Sequence, residues 1–147
     1  MSKLIALLKT LDSREITRFQ EFVHADYFNK HQEVKLLCNY LVKLYPDYDQ
    51  TRKLSKERIF AALCPNKKFS NNLLASFQSK LLKLLQKFMA IELFLEEPFA
   101  ESLLTMKAMR LRNAEKHFNL LEKQFKKSVE QLAVPMEQLA LSQSHFY

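Results

Sequence analysis

Five lysines without a counter-charge are the side chains best suited to chemistry in this 147-residue chain. Lys67, Lys68, Lys80, Lys83 and Lys87 are the only Lys, Arg, Asp or Glu between Ala61 and Ile91, so this stretch carries +5 of a formal net charge of +7. Such a patch attracts phosphates and other anions. Asn71, Asn72, Ser76 and Gln78 lie among the lysines, and their amides and hydroxyls are of the types that read base edges. The order over residues 55–95 is a short helix, a turn at Pro65-Asn66-Lys67-Lys68-Phe69 and a longer helix opening at Ser70, which imitates a helix-turn-helix. On that reading Lys67 and Lys68 hold phosphates, and Asn71, Asn72, Ser76 and Lys80 reach the nucleic acid. Three features weigh against it. The stretch has no arginine, the turn is longer than usual and lacks the glycine often found there, and no hairpin wing follows Leu95.

Other chemistries find less to work with. His24, His31, His117 and His145 form no i,i+4 pair, and no local cluster supplies the three or four ligands of a zinc site, so no metal is expected. Asp47-Tyr48-Asp49 resembles the opening of a calcium loop, but its glycine and distal glutamate are missing, and it is expected to be a solvated connector. Cys38 and Cys64 sit in apolar helical patterns 26 residues apart with no basic neighbour, and are expected as reduced core thiols. The chain has no glycine, where average usage of about 7% would give roughly ten. That excludes a Walker loop, a dinucleotide fingerprint and a glycine-flanked nucleophile elbow. No catalytic residue, cofactor site or metal site is assigned, and the chain is read as a non-enzyme.

The same absence favours helices, which need few positive-φ positions. Leu4, Ile5, Leu7, Leu8 and Leu11 give a short first helix. Asp12-Ser13-Arg14-Glu15 is a capping box opening a second, whose stripe is Ile16, Phe19, Phe22 and Val23. The aperiodic Tyr27-Phe28-Asn29-Lys30 carries two aromatics expected to pin it to the core, with Asn29 capping the third helix. Pro46 stops that helix. Ser55 and Ser70 cap the fourth and fifth, with Leu54 and Phe69 placed to staple onto Ile59 and Leu74. The helix from Ser70 to Leu95 is apolar on more than one side in its second half, which predicts a central element contacted from several directions. Pro98 opens a sixth helix, Asn113 takes the left-handed position after it, and a seventh carries Ala114, Phe118, Leu121, Phe125, Val129 and Leu132 until Pro135 breaks it. A final segment holds Met136, Leu139, Ala140 and Leu141 before His145-Phe146-Tyr147.

Tyr27-Phe28-Asn29-Lys30, Leu54-Ser55-Lys56-Glu57-Arg58-Ile59-Phe60 and Ser79-Lys80-Leu81-Leu82-Lys83-Leu84-Leu85 together resemble the N-terminal region of a family of larger bacterial proteins of no known activity. The resemblance covers roughly residues 12 to 132 and implies continuation into helical repeats; it brings no site residues. The pair from Phe99 to Leu132, followed by a new start after Pro135, has a period near 36 residues, within the solenoid range. Beyond Ala114 and Phe118 the tetratricopeptide signature is unmatched, leaving a generic helical hairpin. The aromatic ending without a stop signal predicts a chain that continues or a helix that docks, with Leu139, Phe146 and Tyr147 at the interface.

The sequence thus predicts an all-α protein of seven to eight helices. A helical bundle over 1–95 surrounds one long central helix and passes into a solenoid-like hairpin over 96–147. Its expected role is protein interaction or scaffolding, with a protein partner, the remainder of a longer chain, or a second copy; nucleic-acid binding at 55–95 is the alternative. Only five apolar residues separate the lysines at the N-terminus, so neither a signal core nor a membrane span is expected there, and a cytoplasmic setting is.

Overall fold

The computed structural model describes residues 1–49 and 52–144, with side chains described as far as residue 133. Among the described residues there are seven α-helices and no strand: α1 Ser2–Leu8, α2 Ser13–His24, α3 Gln32–Leu44, α4 Lys56–Leu63, α5 Asn71–Glu96, α6 Ala100–Leu111 and α7 Glu115–Ser144. The chain divides into two compact units, Met1–Ile91 and Glu92–Tyr147.

Three helix starts in the first unit, those of α2, α4 and α5, have identifiable side-chain causes. Asp12 accepts from the Glu15 backbone N–H at 2.8 Å while Glu15 accepts from the Asp12 N–H at 3.1 Å, completing the capping box of α2. Ser55 accepts from Arg58 N–H at 3.3 Å and Ser70 from Leu73 N–H at 3.2 Å. The apolar stripes that follow these caps close on one core. Ile16, Phe19, Phe22 and Val23 of α2 meet Val34, Leu37, Cys38 and Leu41 of α3, Ile59, Phe60 and Leu63 of α4, and Leu74, Phe77, Leu81, Leu84, Leu85 and Phe88 of α5. Phe88 joins two helices, with its ring 5.5 Å from Phe19 and 5.7 Å from Phe22.

Three local expectations are corrected here. Asn29 does not cap α3, whose N-cap is His31 without a side-chain bond. It is buried instead, donating to Val23 C=O at 3.1 Å and accepting from His31 N–H at 3.1 Å, because the loop's own backbone would otherwise lack partners. Tyr27 does not pin the loop, since its ring is 91% exposed; Phe28 does, stacked 4.4 Å from Phe22. Asp47 to Asp49 is not wholly solvated, because Tyr48 is buried and its hydroxyl donates to Leu41 C=O at 3.1 Å. Phe69 remains 45% exposed, and its ring meets Phe60 edge-on at 5.6 Å.

In the second unit, Asn113 joins α6 to α7 with φ of 58°, the left-handed position predicted for it. Phe99, the N-cap of α6, packs edge-on against Phe125 of α7 at 5.3 Å, which fixes the register of the antiparallel pair. Pro135 does not end α7: the helix continues to Ser144. A proline inside a helix removes one hydrogen bond and crowds the preceding turn, and the rest of the ladder here carries the helix past it.

Candidate functional site

The lysines of the α4–α5 region fall into two groups. Lys67 and Lys68 are exposed in the turn between the helices, where the Lys67 N–H donates to Cys64 C=O at 3.2 Å. Asn71 and Asn72 are exposed at the start of α5, and Asn71 Oδ1 accepts from Lys56 Nζ at 3.4 Å. Ser76 is half-buried. Gln78, a base-reading type, is turned to the N-terminus, its Oε1 accepting from the Met1 ammonium at 3.5 Å.

Lys80 belongs with Lys83 and Lys87. At 3.6 residues per turn, Asn72, Ser76, Lys80, Lys83 and Lys87 occupy an arc of about 80° on α5, opposite its buried stripe. The three lysines line a groove of about 200 Å³ whose other wall includes Phe28 and His31. None of the three is ion-paired among the described residues. The second wall comes from a part of the chain fifty residues away, so periodicity gave no sign of it. The available clue was Tyr27-Phe28, an aromatic pair in a segment without helical period.

The α6–α7 hairpin carries a second concavity, of about 390 Å³, walled by Leu103 and Met106 of α6 and by Phe118 and Phe125 of α7. The Arg110 guanidinium lies 4.6 Å from the centre of the Phe118 ring, a cation–π contact, and Lys126 pairs with Glu122 at 3.0 Å. At the hairpin turn, Arg110 and Phe118 also border a polar recess of about 300 Å³ with Asn113, Glu115 and Asn119. Leu139 is on the helical backbone of α7, but its side chain, like Phe146 and Tyr147 altogether, lies outside the described residues.

His24 bridges two helices, and Cys38, Cys64 and Tyr48 are buried. His24 Nε2 is 2.7 Å from Asn39 Oδ1, which also accepts from Gln20 Nε2 at 2.8 Å, joining α2 to α3. Cys38 and Cys64 are free, buried thiols, and burial pushes Cys38 up to about 12. Burial likewise pushes Tyr48 up to about 12. Among the described residues no three His, Cys, Asp or Glu side chains converge as metal ligands, and no helix is long and apolar enough to cross a membrane. Comparison with protein-family models, curated proteins and solved structures finds no match.

Proposed function

We propose that this chain is a non-enzymatic helical interaction module of the cytoplasm, whose α6–α7 hairpin stacks on a helix of a protein partner in the manner of a solenoid repeat. One observation carries the reading. α6 has 12 residues and α7 has 30, about 18 and 45 Å, and the Phe99–Phe125 contact marks where α6 ends against its neighbour. The α7 stripe of Phe118, Leu121 and Phe125 continues past that point with Val129 and Leu132, which are 38% and 44% exposed. A further helix laid along the overhang would cover them as repeats cover one another. In the same reading α5, with six buried residues, is the central element of Met1–Ile91. The bacterial family resemblance agrees with a chain that takes part in longer helical arrays.

A photoreactive residue in place of Leu132 tests this in cells. A discrete protein adduct that Val129→Lys abolishes is the expected result, and sedimentation of the purified chain tells a second copy from another protein. Absence of any adduct, with a monomer whose stability is unchanged by Val129→Lys, would overturn the reading.

Nucleic-acid binding is the second reading, favoured by the exposure of Lys67, Lys68, Asn71, Asn72 and Lys80 along the α4–α5 turn and helix. Fluorescence titration with mixed duplex DNA at low salt tests the helix-turn-helix form. That form requires binding to weaken in the Lys67→Glu, Lys68→Glu double variant.

A further inference from the structure

We propose that the groove between the Tyr27–His31 loop and the Lys80–Lys87 face of α5 is a binding track for single-stranded nucleic acid. Phosphates lie along Lys80, Lys83 and Lys87, and a base stacks on Tyr27. The inference shares a ligand class with the second reading above, but it rests on different residues and lies wholly within Met1–Ile91.

The lysines come first. Positions i, i+3 and i+7 place the three Cα atoms about 4.5 and 6 Å apart along one side of the helix. Like charges at these spacings destabilise a helix, and surface helices ordinarily relieve them with acids, as Glu122 relieves Lys126 at 3.0 Å in α7. On α5 the three ammonium groups have no such relief, since no acid lies between Ala61 and Ile91. An anion in the groove would supply it. His31, at the start of α3, adds a ring able to donate to the same anion, and the groove's bordering loop is basic again at Lys30.

The aromatics decide the kind of anion. Tyr27 is 91% exposed, and its ring is tied to the core through a chain of rings: it meets Phe28 edge-on at 5.0 Å, Phe28 stacks on Phe22, and Phe22 reaches Phe88. Asn29 locks the next residue of the loop with bonds to Val23 and His31. A large ring presented to solvent, one residue from Phe28 in the groove wall, is a surface on which a nucleobase can stack, and basic grooves combined with such rings are the usual means of holding single strands without sequence preference. An acidic peptide gains nothing from the ring's face. A bilayer surface needs an exposed apolar face beside the basic one, and the apolar stripe of α5 is buried in the core. The groove measures about 200 Å³. Toward the N-terminus of α5, Ser76 and Asn72 continue the stripe and extend the track to about 22 Å.

Fluorescence anisotropy of the whole 147-residue chain with a labelled mixed-sequence oligonucleotide, as single-stranded DNA and RNA, tests the proposal. Binding in the micromolar range is expected at about 50 mM salt, with the logarithm of affinity falling by roughly 2 per log unit of salt if three phosphates are engaged. Lys83→Glu with Lys87→Glu should weaken binding more than tenfold and flatten that slope, and Tyr27→Ala should weaken it roughly tenfold while leaving the slope alone. All three positions are exposed, so circular dichroism should show unchanged helix. Four outcomes would overturn the proposal. They are no binding of single strands at roughly 100 µM, equal affinity for the matching duplex, equal affinity for poly-glutamate or phosphatidylserine vesicles, and loss of binding in Lys67→Glu, Lys68→Glu but not in the groove variants. The last would return the contact to the α4–α5 turn.

Discussion

In Met1–Ile91, helices α1 to α5 close on twenty-three buried residues, whereas in Glu92–Tyr147 Met106 is the one buried apolar side chain among those described. The difference does not come from a shortage of apolar residues. The hairpin has Leu103, Leu104, Leu111, Leu120, Val129 and Leu132, each more than a third exposed. It comes from the number of layers: stripes facing one another across several helices exclude water from all of them, while two helices cover only the seam between them. Met106 and the Phe99–Phe125 contact lie in that seam. The first unit therefore has a closed core, and the described side chains of the second leave most of their apolar surface uncovered.

The largest test of this contrast is Phe19→Ala set beside Leu104→Ala. Phe19 has no exposed surface and touches Phe88, so its truncation should cost about 3–5 kcal/mol in urea unfolding. Leu104 is exposed on the far side of α6 and should change stability by about 0.5 kcal/mol or less. Comparable losses would break the contrast, because Leu104 would then have a covered environment.

Asn29→Ala comes next and probes how the first unit joins α2 to α3. The truncation leaves Val23 C=O and His31 N–H without partners in a buried site and should cost about 1–3 kcal/mol. Because Asn29 lines the groove between Phe28 and His31 and is bonded to His31, this variant should weaken single-strand binding with all lysines intact. Normal affinity in a folded Asn29→Ala protein would separate the loop from the groove.

What the sequence could and could not disclose divides along the same line of locality. The caps Asp12, Ser55 and Ser70 and the left-handed Asn113 involve groups within four residues of each other, and residue type alone identifies them. Asn29 has the right type for a cap and sits two residues from the true one. Its burial depends on Val23, on the far side of the turn. Pro135 was expected to end a helix because a proline does locally, and the continuing ladder to Ser144 overrides that preference. The groove lay beyond reach for the same reason as Asn29. Lys80, Lys83 and Lys87 were visible as charge, but nothing in their spacing indicates that Phe28 and His31 form the facing wall.

The second unit has its own weak point at Asn113, which tests the hairpin without touching the core. A β-branched residue at φ of 58° is strained, so Asn113→Val should destabilise the hairpin by about 1–2 kcal/mol, while Asn113→Gly should be neutral or stabilising. Amide hydrogen exchange should register the loss in α6 and α7 and leave α2 and α3 protected. Faster exchange spreading through α2 and α3 would show that the two units unfold as one.

The smallest effect concerns the cap of α2 and follows from its charge. The Glu15 backbone N–H holds the Asp12 carboxyl below its ordinary value of 3.8, so the folded chain binds that proton less tightly than the unfolded one. Stability from the contact is thus complete above that ordinary value and is lost as pH falls through the lower folded value. Asp12→Asn keeps a side-chain acceptor at the N-cap but removes the charge that favours the start of a helix. The difference in Tm between the native chain and Asp12→Asn should be constant above about pH 5 and shrink below 3.8. Asp26, lowered mainly by its hydrogen bond from Lys35, titrates in the same range but is present in both proteins and cancels in the difference. A difference that grew on acidification would mean that the carboxylate opposes the fold, and that α2 starts for reasons other than its cap.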